Sequence, residues 1–262
     1  MDRDYIDMVR KCHECQLHGN KIHLPPTELH NLTSPWPFSA WGIDIIGEIR
    51  PTASNGHKYI VVAIEYFSRY VEAISLPTVT AKSMAEFINK KLINRFGKPH
   101  HIVSDNGVQF QKETAELLEK ERIEHHKSSP YRPQANGAVE AANKTIKKIL
   151  AKTVKTYKDW ADKLPFAVMG YNTTVRSATG ETPYSLVFGG EAILTVESQI
   201  QSLRVVLEAQ ISEAQWAEAR YKQLLSLEEK RKKALHHTQV YQQRIARAFN
   251  KGVRVRPIKE GD

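Results

Sequence analysis

The chain has little cysteine. It carries two in 262 residues, and they form one C-x2-C pair, Cys12 and Cys15. That is too few for a disulfide framework and fits a reducing compartment. Long apolar runs are missing as well. None reaches the roughly 18 residues that span a bilayer, so no membrane partner is expected. The opening twenty residues are polar, and no secretory signal peptide is expected. There is no Gly-rich phosphate loop, no GxSxG elbow and no HExxH pair. Their absence turns attention away from P-loop, serine-hydrolase and zincin chemistry. Acid is missing from one stretch only: between Lys230 and Lys259 stand ten Lys or Arg and no Asp or Glu.

What is present bounds the rest. The hydrophobic fraction of 41% supports a packed core, and the length suits one ordinary domain with appendages. Net charge is +9 and the isoelectric point about 9.4. That balance favours a polyanionic partner, nucleic acid first and an anionic membrane surface second. The basic stretch reads either as a solvated cationic helix or as a tail that tracks phosphates; the charge of the whole chain favours the second.

Local patterns divide the chain. Residues 1–35 are polar and contain KCHECQLHGNKIH. Cys12 and Cys15 supply half of a zinc site, and His13, His18 and His23 stand too close to them for an ordinary finger. Residues 41–50, WGIDIIGEIR, are rich in β-formers. Asn55-Gly56 then marks a turn. YIVVAIEYF (59–67) and YVEAISL (70–76) complete a three-stranded antiparallel meander. Residues 81–96 have helical spacing and stop at Gly97-Lys98-Pro99. HHIVSDNG (100–107) is a short buried strand, 110–121 a helix, and 122–128 a fifth strand. The loop SSPYRPQANG runs into a helix whose apolar stripe is Val139, Ala142, Ile146, Ile149 and Leu150. Glu140, Asn143, Lys144 and Lys147 fall on one other face of it. Residues 158–172 form a further helix with a proline inside, and 173–202 are loop-rich. From Leu203 a second amphipathic stripe runs through Val206, Leu207, Gln210, Ala214, Ala217, Tyr221, Leu224 and Leu225. This order of elements is an α/β pattern with a mixed sheet.

Three carboxylates stand out by context. Asp44 sits mid-strand among isoleucines, where an ionised group is costly without compensation. Asp105 ends a strand, and Glu140 opens a helix. Singly, each has an ordinary alternative: a turn former, a hairpin turn, or a charge that suits the helix dipole. Brought together at a sheet edge, they repel one another unless a cation neutralises them. Mg²⁺ accepts a few carboxylates and keeps positions for water and phosphate oxygens. Two such ions clamp both oxygens of an in-line phosphoryl displacement. His100-His101 and His125-His126 are consecutive along strands, so the members of each pair point to opposite faces, and they read as structural.

The motifs WGIDIIG (41–47), SDNGVQF (104–110) and YRPQANGAVEAANKTIK (131–147) resemble the catalytic core of retroviral and gypsy-type LTR-retrotransposon integrases. The resemblance runs over the whole chain. It implies an RNase H-like core with a mixed five-stranded sheet flanked by helices, followed by a long basic helical extension. It implies a catalytic and metal-binding triad of Asp44, Asp105 and Glu140 working with Mg²⁺ or Mn²⁺. Here 34 residues separate Asp105 from Glu140, one fewer than is usual in the family, a difference assigned to the loop around Tyr131. Tyr131, Gln134 and Asn136 match the active-site loop, and Asn143, Lys144 and Lys147 match the DNA-contacting helix face. The activity implied is a two-metal polynucleotidyl transfer: 3′-end processing and strand transfer that insert element DNA into a host genome. A nuclease of the same fold without joining activity, and an inactive nucleic-acid-binding relic, are the alternatives. DNA and further copies of the chain are the expected partners. The nucleus is the expected site of action, after a cytoplasmic particle stage, with Lys230-Arg231-Lys232-Lys233 as a basic run of the import type.

By the same resemblance, residues 1–35 are the remnant of an N-terminal zinc domain with its linker, and 36–195 are the catalytic core. Residues 196–255 are a basic linker, and 256–262 open a C-terminal domain. KCHECQ resembles the second half of a His-His-Cys-Cys motif. Its histidines would lie upstream of Met1, so zinc at Cys12 and Cys15 is not expected from this chain alone.

Overall fold

β-Branched and aromatic residues concentrate in three early runs, and these runs pair. In the computed structural model, residues 2–13, 34–127, 137–154, 156, 158–194 and 210–252 are described. They fall into two compact units, one with residues 2–13 and 245–252, the other with the described residues from 34 to 244. In the first unit, helix α1 (Asp2–Lys11) exposes Tyr5, Ile6 and Met8. The Cys12 amide donates to Met8 O and extends it. Cys15, His18 and His23 lie outside the described residues.

The second unit is built on a five-stranded sheet in the order β3-β2-β1-β4-β5. β1 (Ala40–Ile46), β2 (Tyr59–Glu65) and β3 (Val71–Leu76) are antiparallel neighbours, the expected meander. β4 (His101–Ser104) lies parallel to β1, and β5 (Glu124–Lys127) parallel to β4. The sheet is therefore mixed, with β1 at its centre and β5 at an exposed edge.

Period-two alternation sorts the two cores. On one face Trp41 and Ile43 of β1 join Val61 and Ala63 under Met84, Phe87, Ile88 and Leu92. These come from α2, a helical rod over 81–96 that opens with a Thr80–Ser83 capping box and contains a π-helical segment at Ile88–Ile93. Gly97 ends it with a positive φ of 86°. A 3₁₀ turn (Val108–Phe110) and α3 (Glu113–Lys120) complete that layer. On the other face Ile60, Val62 and Ile64 pack beneath α4 (Gly137–Thr153) and α5 (Trp160–Asn172).

The β2–β3 turn is organised around a buried acid. Glu65 is fully buried and accepts four hydrogen bonds, from the amides of Phe38, Phe67 and Ser68 and from Ser68 Oγ. Burial pushes its carboxyl above the usual range, against the pull of these donors. Across the chain, Asn172 at the end of α5 finishes the edge strand. Its Oδ1 accepts from Val71 N at 2.9 Å and its Nδ2 donates to Val71 O at 3.0 Å.

One expectation changes in the C-terminal half. The loop-rich segment 173–202 contains a helix, α6 (Pro183–Phe188), with Thr182 as N-cap and proline at its first turn. The long helix α7 (Glu213–Asn250) carries the end of the second amphipathic stripe, a face that could pack on a partner helix or on the core. Of that stripe, Gln210, Ala214, Ala217, Tyr221, Leu224 and Leu225 are exposed, while Leu203, Val206 and Leu207 lie outside the described residues. The buried positions are Leu227, Ala234 and Thr238, one face further round. The cause is polar docking. Arg220 donates to Phe188 O, and Arg231 donates to Leu186 O and Val187 O, at the carbonyl end of α6. Thr238 donates to Ala178 O.

Among the described residues no helix is long and apolar enough to cross a membrane.

Replacing Asn172 with alanine strands the buried N–H and C=O of Val71 together. We expect Asn172→Ala to lower unfolding stability by about 2–4 kcal/mol, since each orphaned group costs roughly 1–3. Urea denaturation of the variant against the parent chain measures this.

Candidate active site

The site begins where α4 crosses β1. Gly42 has no room for a side chain: a Cβ there would stand 2.4 Å from Val139 Cγ2 and 2.6 Å from Tyr66 Oη. Glycine thus lets the first turn of α4 press onto the central strand. Two residues on, and on the same face, Asp44 comes up beneath that helix. Its Oδ1 accepts from Ile45 N at 2.8 Å, and its Oδ2 accepts from Asn143 Nδ2 at 2.7 Å.

Asn143 is where the expected polar face of α4 divides. Glu140, Lys144 and Lys147 are exposed, but Asn143 is only 7% exposed and belongs to the buried side with Val139, Ala142, Ile146 and Leu150. The signal was in the spacing. Asn143 lies four residues after Val139 and three before Ile146, which makes it a member of the inward stripe. It is an amide set among apolar neighbours to hold a carboxylate. Its Oδ1 is buried with no donor among the described residues.

Asp105 follows β4 directly and is exposed. Its Oδ1 accepts from Gly107 N at 3.2 Å and from Gln109 Nε2 at 3.4 Å, a local turn that fixes the carboxyl at the strand end. Behind it, Ser104 Oγ donates to Asp105 O and lies 2.8 Å from His125 Nε2. With the hydroxyl proton committed to Asp105 O, the imidazole Nε2–H is the donor to Ser104. Burial first, and the nearby charges of Lys127 and His126 next, hold His125 below its ordinary range and so keep it neutral. Sequence reading treats His125 as structural, and it is, but its place directly behind Asp105 depends on β4–β5 register that no local pattern reveals. Its neighbour His126 points to the opposite face, as alternation requires.

Electrostatics tie the acids together. Burial raises Asp44 above its ordinary value. The charges of Asp105 and Glu140 raise it further, opposed by the Ile45 amide and by Lys147. Asp44 therefore senses both other acids and the lysine one helical turn beyond Asn143. Among the described residues, only His101, Glu124 and His126 bring three metal-ligating atoms within 4.8 Å of one another. Asp44, Asp105 and Glu140 stand wider apart than that. Tyr131, Gln134 and Asn136 lie outside the described residues.

Comparison with known proteins follows this geometry. Residues 35–133 match the integrase core domain, rve. The Transposon Tf2-3 polyprotein of Schizosaccharomyces pombe is 30% identical over 187 residues, which is 69% of this chain and 14% of the polyprotein. The chain thus spans a small part of the length of the polyproteins it matches. In fold, it is similar to a chain of the simian T-cell lymphotropic virus intasome, seen by cryo-electron microscopy in complex with the PP2A regulatory subunit B56 gamma. That likeness has a TM-score of 0.52 and 23% identity, and covers 71% of this chain and 66% of that one.

A raised carboxyl binds its proton more tightly folded than unfolded. Its ionisation therefore removes stability as pH rises from the ordinary value of 3.8 through the raised one. We expect Asp44→Asn to raise the melting temperature of the metal-free protein at neutral pH by a few degrees. The gain should shrink as the pH falls toward 4. Thermal melts at a series of pH values in chelator check both the sign and the trend.

Proposed function

Because residues 35–133 carry an integrase core domain, we propose that this chain is the catalytic segment of an LTR-retrotransposon integrase, acting on DNA ends and joining them to target DNA. Residues 36–195 form its core and 196–255 its basic linker, and it works as a multimer on paired ends in the nucleus. The observation that carries the reading is the electrostatic coupling of Asp44 to Asp105 and Glu140, with Lys147 opposed to it. A half-buried carboxyl raised by burial and by two neighbouring acids has a site chemistry that a divalent cation relieves.

The donor set fits such a cation. It offers three carboxylates and no thiolate or imidazole, which suits Mg²⁺ or Mn²⁺ rather than zinc. A bound divalent cation supplies the Lewis-acid charge for an in-line phosphoryl displacement.

The chain's own residues do the rest. Asp44, Asp105 and Glu140 are ligands and make no covalent bond to DNA. Asn143 fixes the rotamer of Asp44 through the 2.7 Å hydrogen bond, so the central ligand is oriented before substrate arrives. His125 and Ser104 steady the strand end that carries Asp105. Lys144 and Lys147, exposed on α4, hold backbone phosphates, and such contacts position DNA without specifying its sequence. Tyr131, Gln134 and Asn136 meet the unpaired end. Along α7, Lys232, Lys233 and Arg244 join His236 and His237 around an open cleft of about 610 Å³, a further surface for a polyanion.

A hydrolytic nuclease of the same fold is the second reading, since the same carboxylates would serve it. Labelled oligonucleotides carrying an element end separate the two: joining yields products longer than the substrate, and hydrolysis yields only shorter ones. We expect Asp105→Asn and Glu140→Gln to reduce metal-dependent joining to background, with unchanged far-ultraviolet circular dichroism. Joining that persists at parental rate in either variant overturns the assignment of the triad.

A further inference from the structure

The β5 edge of the sheet holds a second convergence of ligating atoms, at the start of β4 rather than at the end that carries Asp105. β4 and β5 pair in parallel, with His101 opposite Glu124 and Val103 opposite His126. Residues two apart on a strand share a face, so His101, Glu124 and His126 stand on one side of this pair. His101 Nδ1 lies 3.1 Å from His126 Nε2 and 3.2 Å from Glu124 Oε2, and His126 Nε2 lies 3.6 Å from the same oxygen.

The triangle has a meaningful size. Zinc binds imidazole nitrogen and carboxylate oxygen at about 2.0–2.2 Å, and in a tetrahedron that sets ligand atoms about 3.3–3.5 Å apart. The three edges found here bracket that spacing, so no strand has to move to close the site. Hydrogen bonding alone accounts for the cluster less well. His101 Nδ1 faces both Glu124 Oε2 and His126 Nε2, and whichever tautomer each ring takes, Nδ1 carries at most one proton for the two contacts.

The setting also fits. His101 and His126 line a cavity of about 310 Å³ together with Trp36, His100 and Ser39, which leaves space for a water or a further ligand at the fourth position. Two imidazoles and one carboxylate select the Zn²⁺, Co²⁺ and Ni²⁺ class over Mg²⁺. We propose that His101, Glu124 and His126 form a transition-metal site that clips edge strand β5 to β4.

The site is distinct from the three acids. His101 precedes Asp105 by four residues on an extended strand, about 13 Å at 3.3 Å per residue. Its effect is structural and reaches the active-site loop through sequence, because β5 leads directly into residues 128–136. The inference does not depend on the reading of the chain as an integrase.

Cobalt tests it on the full chain, stripped with chelator and carrying Cys12→Ser and Cys15→Ser to remove the thiol pair. Titration with Co²⁺, followed by its visible absorption and by calorimetry, should give one site per chain. His101→Ala and His126→Ala should each weaken that binding at least about tenfold, and Zn²⁺ should raise the melting temperature of the parent but not of the variants. The side chains are 42% and 57% exposed, so these changes leave the fold intact. Should either destabilise the chain, Glu124→Gln, at a side chain 70% exposed, gives the same readout. Absence of a cobalt spectrum in the cysteine-free chain, or cobalt binding unaltered by the substitutions, overturns the proposal.

Discussion

The contact between Asn143 and Asp44 is the interaction on which the rest of the site depends. A carboxylate in the middle of the central strand faces a helix that would otherwise bury it without a partner. One amide, placed in the apolar stripe of that helix, satisfies one oxygen, and a neighbouring backbone N–H satisfies the other. The close approach that makes this possible is set two residues earlier by Gly42 beneath Val139. Helix and strand are thus keyed together by a missing side chain and a polar pair. The first turn of α4, with Glu140 on it, is held over β1 as a result. Asp105 arrives from β4, which lies parallel beside β1, so three acids distant in sequence come within electrostatic reach through one sheet and one helix.

That arrangement puts stability and chemistry in opposition. Burial first, and the charges of the two other acids next, raise the proton affinity of Asp44, and the Ile45 amide and Lys147 offset part of this. A site built this way is incomplete in free energy until positive charge enters it.

Most of the layered fold was legible in the sequence because its signals are local. Runs of β-formers and the Asn55-Gly56 turn marked β1 to β3, helical spacing marked α2 and α4, and Gly97 marked the end of α2. What escaped was of two kinds. Short elements with only a cap for a signal, such as α6 behind Thr182-Pro183, were absorbed into loop. Contacts that depend on register, such as His101 against His126 or His125 against Ser104, cannot be read from either strand alone. Asn143 stands between the two cases: its spacing placed it with Val139 and Ile146, while its polarity drew it to the outer face. The apolar stripe at the start of α7 could face a partner helix or the core, and the docking of Arg220 and Arg231 onto α6 carbonyls turns a different face of the helix inward.

The buried Glu65 has a consequence for where this domain starts. One of its four donors is the amide of Phe38, which precedes β1 rather than lying within it. The turn between β2 and β3 and the entry to β1 are therefore stitched by the same acid, although 27 positions separate them. The core therefore reaches back beyond the first rung of the ladder. Any shortened version opening at the strand itself would inherit a hidden carboxyl group with one of its four hands empty.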